Sequence, residues 1–191
     1  TYVATIPGGG VAMEIDGYDI YVANTYGSIY KINDPDLAPC TVTIPDTNFK
    51  AYLVGNTAIN TNGDTEIQCS EASAFTGAIN VANQSISDLT GIEAFTSLTK
   101  LFCYTNSLSS LDLSQNTALV ELFCQINALT DLDLSKNPNL NIAMAFSNQL
   151  TSLNIKNGGN LNLNTYDSSS NPYLLCIEVD DPVYSSLNWT G

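Results

Sequence analysis

The 191-residue chain carries 19 Asp and Glu against five Lys, with no Arg and no His, giving a net charge of −14 although only 13% of residues are charged. The absence of His removes imidazole acid/base chemistry, Ser-His-Asp and Cys-His nucleophile systems and His-ligated zinc or haem. Five Lys cannot neutralise a phosphate backbone, so nucleic acid and anionic membrane are poor partners, whereas a cation such as calcium is a good one.

No apolar run approaches the roughly 20 residues needed to span a bilayer, which excludes membrane insertion by a helix. Acidity with so little Lys fits a secreted protein in saline surroundings. The chain begins at Thr1, which reads as a processed terminus or the edge of an excerpt. Five cysteines (40, 69, 103, 124 and 176) are an odd number without a CxxC, and they read as neither a disulfide framework nor a zinc site.

Residues 1–37 read as a small antiparallel β segment. Runs at 11–15, 19–23 and 28–32 alternate or stay apolar as short strands do, separated by Asp16-Gly17 and Asn24-Thr25-Tyr26-Gly27. Residues 2–6 are a candidate fourth strand. The stretch GVAMEIDGYDIYVANTYGSIYKI resembles one blade of an NHL- or SMP-type β-propeller. Propellers use about four to eight blades, so one blade implies either missing upstream sequence or a small accessory sheet. Asp34-Pro35-Asp36-Leu37-Ala38-Pro39 then reads as a short, stiff linker.

Residues 38–92 read as a helical cap and a lead-in repeat. Asp46 after Pro45 is a candidate N-cap for a helix over 47–54, and a second short helix is expected near 70–75. Between them lies Asn60-Thr61-Asn62-Gly63-Asp64-Thr65-Glu66-Ile67-Gln68-Cys69-Ser70-Glu71. Calcium loops place oxygen ligands at alternate positions and a bidentate Glu at position 12. Asn60, Asn62, Asp64, the Glu66 carbonyl and Glu71 supply that set, and the loop resembles an EF-hand or dockerin loop. Asn at position 1 and Thr65 where such loops place Gly depart from the pattern, and the few carboxylates imply weak affinity. A metal-free cap of the same shape is the alternative.

Residues 93–191 carry the strongest pattern. Leu98xxLeu101xCys103xxAsn106xLeu108 recurs 21 residues on as Leu119xxLeu122xCys124xxAsn127xLeu129, and again as Leu140xxAla143xAla145xxAsn148xLeu150. A fourth copy is read from Leu161. Half-copies begin at Leu108, Leu129 and Leu150, so turn asparagines follow one another at steps of 10, 11, 10 and 11 residues. Ile79xVal81 leads in. The pattern is a leucine-rich-repeat solenoid, mostly β, with two short extended segments per coil, leucines inward and Asn closing each turn. The apolar groups of one coil cannot offset the entropy of ordering it, so coils must stack and be capped. An irregular last coil, 166–181, is the expected C-terminal cap.

The alternation LxxLxCxxNxLxxLDLSxN resembles the repeat of the internalins, most nearly the internalin J type. The run IPDxNFKAYL…TNGDTEI…SEASAF resembles cap modules of type IX-secreted Bacteroidetes surface proteins. The resemblance implies a bacterial cell-surface adhesion module with an EF-hand-like cap, not an enzyme. Within it Cys103 and Cys124 preserve a cysteine ladder that Ala145 and Tyr166 interrupt, and Cys176 falls in the inward Leu113/Leu134/Ile155 column.

Outward positions carry the candidate site. One column reads Phe102, Phe123, Met144, Thr165, and the next reads Tyr104, Gln125, Phe146, Asp167. Exposed aromatics and Met are what a protein-binding face needs, and intramolecular packing over the stripe is the alternative. The column Asp112, Asp133, Asn154 stacks like charges about 5 Å apart, as a solvated face does. The expected function is partner binding through Phe102, Tyr104, Phe123, Gln125, Met144 and Phe146. The rival readings are glycan binding, a structural or self-associating spacer, and an appendage to an upstream catalytic region.

Overall fold

The computed structural model describes residues 10–16, 19–24, 29–33 and 40–183, and the chain divides into two compact units, Thr1–Cys40 and Thr41–Gly191. The first unit is an antiparallel meander of β1 (Gly10–Asp16), β2 (Asp19–Asn24) and β3 (Ile29–Asn33) in the order β1-β2-β3. Its strands fall where the apolar alternation places them. The candidate strand at 2–6 and the turn residues 17–18 and 25–28 lie outside the described residues.

The second unit opens with the cap. Helix α1 (Thr47–Gly55) starts where one Asp46 oxygen accepts the amides of Asn48 and Phe49 at 2.9 and 3.0 Å. The other Asp46 oxygen accepts the Ser87 amide at 2.9 Å, which ties the helix start to the first coil. Phe49 and Leu53, one turn apart, are fully buried. Helix α2 (Cys69–Ala74) begins with the Glu71 carboxylate accepting the Gln68 amide at 3.0 Å. One sequence expectation fails here. Cys40 and Cys69 are disulfide-bonded, and they flank an antiparallel bridge between Thr41 and Gln68. An odd total concealed one real bridge beside three free thiols.

The repeats then wind into a mostly β solenoid. The first extended segment of each coil gives β4 (Ala78–Asn80), β5 (Lys100–Phe102), β6 (Glu121–Phe123), β8 (Ile142–Met144) and β10 (Thr165–Asp167), a parallel sheet in the order β10-β8-β6-β5-β4. The second segment gives β7 (Asp131–Asp133), β9 (Ser152–Asn154) and β11 (Ile177–Glu178), a parallel sheet in the order β11-β9-β7. Between the sheets runs one core of stacked Leu, Ile and Cys side chains.

Asparagines stitch the first turn of the four coils after the lead-in. Asn148 donates to the carbonyls of Cys124 and Ala145 at 3.1 and 3.0 Å and accepts the Leu129 amide at 3.1 Å. Asn106, Asn127 and Asn171 do the same in their coils. The residue before each of these asparagines turns left-handed: Thr105, Ile126, Ser147 and Ser170 have φ between 54 and 58°, as does Asn83 in the lead-in coil.

Strict 21-residue arithmetic breaks in the last coil. Tyr166 pairs with Ala143 and Asp167 with Met144, a step of 23. Tyr166 therefore continues the Leu101/Leu122/Ala143 column and not the cysteine ladder, and Asp167, not Thr165, follows Met144. The two extra residues are absorbed around Gly158, at φ 76°, and Gly159, where a Cβ would collide with the Pro138 carbonyl. A 3-10 turn at Asn160–Asn162 follows. The fourth copy accordingly starts at buried Leu163, while Leu161 is 70% exposed. In the second sheet Ile177 pairs with Leu153, a step of 24. Cys176 lies one residue before inward Ile177 and is exposed, and the Leu113/Leu134/Ile155 column expected for it is continued three residues on by Val179.

Candidate functional site

The five-stranded sheet fixes the outward columns by pleat and register. Inward Leu101, Leu122 and Ala143 alternate with outward neighbours on either side, and parallel pairing sets Phe102 beside Phe123 and Phe123 beside Met144. The Phe102 and Phe123 rings stack, with centroids 5.0 Å apart and planes at 25°. Tyr104, Gln125 and Phe146 occupy the next outward position of the same three coils. All six residues picked out by sequence are brought together on one face, each half-buried. Thr165 does not join them, and Asp167 ends the stripe instead.

Sequence reasoning passed over the third outward column, in which Lys100 and Glu121 form an ion pair at 2.7 Å beside the stacked rings. The 21-residue spacing already set these opposite charges on adjoining strands. The Gln125 side-chain oxygen is buried within this face without a hydrogen-bond partner.

The thiols beneath the face are chemically inert. Cys103 and Cys124 are fully buried. Burial pushes Cys103 well above the ordinary thiol range, reinforced by Cys124 beside it, and raises Cys124 to about 12. Neither is a thiolate at neutral pH, so neither is a nucleophile. Among the described residues no group of three or more Cys, Asp or Glu converges to hold a metal ion.

The cap loop brings the sequence-predicted oxygen set together, but spends it on hydrogen bonds. Asn60 accepts the Gly63 amide and donates to the carbonyls of Val54 and Asp64. Asp64 accepts the Glu66 amide with one oxygen, and the side-chain amides of Gln68 and Asn62 with the other. Glu71 takes the Thr61 amide and hydroxyl on one oxygen and the Gln68 amide on the other. The Glu66 carboxylate pairs with Lys50 at 2.6 Å. Partial burial works against the charge of Glu71, but the hydrogen bonds from Gln68, Thr61 and Asn62 outweigh it and lower its pKa. Asp64 is lowered first by the Glu66 amide. As arranged, the side-chain amide N–H groups of Asn62 and Gln68 point at one Asp64 carboxylate oxygen.

No family model matches the chain. Over 73 residues, 38% of its length, it is 40% identical to internalin J of Listeria monocytogenes serotype 4b (strain F2365), of which this segment is 8%. The solved functional domain of InlJ from Listeria monocytogenes, which includes a cysteine ladder, aligns over 72% of this chain and 33% of that one, at 33% identity and a TM-score of 0.57. An internalin, InlF, from Listeria monocytogenes str. 4b F2365 aligns over 76% of this chain and 47% of that one, with 20% identity and a TM-score of 0.53, a likeness of fold. The chain thus spans a small part of the curated relative and about a third of the solved InlJ domain. Its repeats form an internalin-type leucine-rich-repeat solenoid. Among the described residues no helix is long and apolar enough to cross a membrane.

Proposed function

We propose that this chain is a non-catalytic recognition module of a secreted, cell-surface protein, and that it binds a protein partner through the outward face of the five-stranded sheet. One observation carries the reading. The Phe102–Phe123 stack, continued by Met144 and flanked by Tyr104 and Phe146, stays partly exposed where solubility alone calls for polar residues. Aromatic and Met side chains in a continuous patch are the anchors of protein interfaces. The similarity to internalin J points to a surface-displayed interaction module as well. A glycan is the weaker alternative, because Phe102 and Phe123 each give one ring face to the other and leave less flat surface for a sugar.

Phe123→Asp tests this. Binding of the labelled chain to cultured mammalian cells and to bacterial cells should fall at least about tenfold, with the melting temperature nearly unchanged. Prior protease treatment of the cells should abolish binding by the unaltered chain. Unchanged binding by Phe123→Asp sinks the reading, as does its unfolding, which would mean the column is core. Binding that survives protease and appears on a glycan array transfers the face to carbohydrate.

A further inference from the structure

The chain contains two Asn-Gly pairs, Asn62-Gly63 in the cap loop and Asn157-Gly158 in the turn that absorbs the register shift. In such a pair the side-chain amide lies open to its own backbone, because the second residue has no Cβ to shield the nitrogen between them. The two turns are built alike. Asn62 Oδ1 accepts the Asp64 amide at 3.0 Å, and Asn157 Oδ1 accepts the Gly159 amide at 2.8 Å. This Asx turn folds the carboxamide back over the glycine nitrogen. Gly63 and Gly158 are both left-handed, at φ 72 and 76°, with open space where a Cβ would stand.

What receives the glycine N–H differs. Gly63 donates to the neutral Oδ1 of Asn60 at 3.0 Å. Gly158 donates to a carboxylate oxygen of Asp180, in the last coil, also at 3.0 Å. The side-chain nitrogens differ as well. Asn62 Nδ2 is held by Asp64 Oδ2 at 3.0 Å and by Gln68 Oε1 at 2.9 Å, whereas Asn157 Nδ2 donates to the Asn137 carbonyl at 2.9 Å. An N–H lies in its peptide plane, so giving it to Asp180 leaves the face of the Gly158 nitrogen to the Asn157 Cγ.

We propose that Asn157-Gly158 is a self-modification site, at which Asn157 closes to a succinimide and reopens as aspartate or isoaspartate, with Asp180 as the base. The Gly158 nitrogen passes its proton to the Asp180 carboxylate and bonds to Asn157 Cγ. The negative charge that develops on Oδ1 meets the Gly159 N–H already aimed at it. Nδ2 takes up a proton, returned from Asp180 through solvent, and leaves as ammonia when its bond to Cγ breaks. Water then adds to the ring and restores the Gly158 N–H. Addition at Cγ gives aspartate, and addition at the Asn157 main-chain carbonyl gives isoaspartate. Water is the co-reactant, and Gly158 is exposed to it. Either product sets a second carboxylate beside Asp180 and removes the bond from Nδ2 to Asn137, so the turn loses its hold on both neighbouring coils. The site is separate from the aromatic face and stands or falls without it.

The test ages the full 191-residue chain at neutral pH and follows both asparagines by peptide mass spectrometry, with isoaspartate scored by enzymatic methylation. In the folded chain Asn157 should convert about tenfold or more faster than Asn62, and in urea the two should convert at similar rates. Asp180→Asn keeps an oxygen for the Gly158 N–H but removes the base, and should slow Asn157 about tenfold or more. Asn62 should keep its rate in that variant, which marks the fold as intact. Conversion of Asn62 as fast as Asn157 in the folded, unaltered chain overturns the proposal without recourse to the variant. Unchanged conversion of Asn157 in Asp180→Asn overturns it too, because the carboxylate then takes no part.

Discussion

Each coil is built from two half-coils that share one inward pattern, and their outward and turn chemistry differ throughout. In the first half the strands pair without a break from β4 to β10, the turn asparagine uses both ends of its amide, and the outward columns hold aromatics. In the second half the sheet has three strands, and the turn asparagines Asn116 and Asn137 use only their N–H groups, with buried side-chain oxygens lacking partners. Its outward columns are acidic. The inward leucines specify a coil and nothing more. Continuity and recognition are decided by residues the core never touches.

The sharpest way to break the comparison is through the two asparagine ladders. Asn148→Ala removes the partner of the buried Leu129 amide, while the Cys124 and Ala145 carbonyls keep Asn127 and Asn171. An unsatisfied buried donor and the lost bonds should cost about 3 kcal/mol in urea unfolding. Asn137→Ala leaves nothing orphaned, because the Leu113 and Asn116 carbonyls still accept the Asn116 and Leu119 amides. It should cost about 1 kcal/mol. Equal losses would show that the two turns are energetically alike and that the contrast is only one of geometry.

Much of the fold and of the candidate face is legible in the residues alone. Asp46 reads as an N-cap because a carboxylate before a run of helix formers has one use there. The six stripe residues follow from an alternation that register cannot change within a strictly 21-residue array. What stays hidden requires a neighbour. Tyr166 and Cys176 change columns because insertions near Gly158 and in the last coil shift register without altering the local motif. The tripeptide Leu-Asp-Leu occurs at 111–113 and 132–134, so no local rule could make the second a strand and not the first. The difference lies in the next coil, where neutral Asn154 faces Asp133. Cys40 and Cys69, far apart in sequence, disclose their bonding only once Thr41 meets Gln68.

A smaller effect separates the halves at the left-handed position. Among the described non-glycine residues, positive φ recurs in the first-half turns and not in the second. Ile126, at φ 58° and 47% exposed, is the β-branched aliphatic member of that column, a conformation costing about 1–2 kcal/mol for such a side chain. Ile126→Gly should stabilise the chain by about 1 kcal/mol net of the added unfolded-state entropy, or raise the melting temperature about 3 °C for a chain of this size. Destabilisation would mean that the Ile side chain packs usefully across the turn.

The smallest effect concerns pH. Two second-half turns are closed by carboxylates: Asp112 accepts the Ser114 amide at 2.9 Å and Asp133 the Ser135 amide at 2.8 Å, whereas neutral Asn154 takes that place in the next coil. First-half turns are closed by neutral amides, as where Asn148 accepts from Leu129. The Ser114 amide and hydroxyl lower the Asp112 pKa. A carboxylate with a lowered folded pKa contributes stability that is complete above its unfolded value, near 4, and is lost as pH falls through the folded value. The Ser114 amide resonance should therefore titrate with an inflection below the ordinary Asp range, while the Leu129 amide stays flat over the same window. Acid should therefore weaken the Asp112 turn, which rests on an ionised acceptor, while turns closed by neutral amides still hold. Simultaneous movement of both resonances would show instead that the half-coils unfold as one unit.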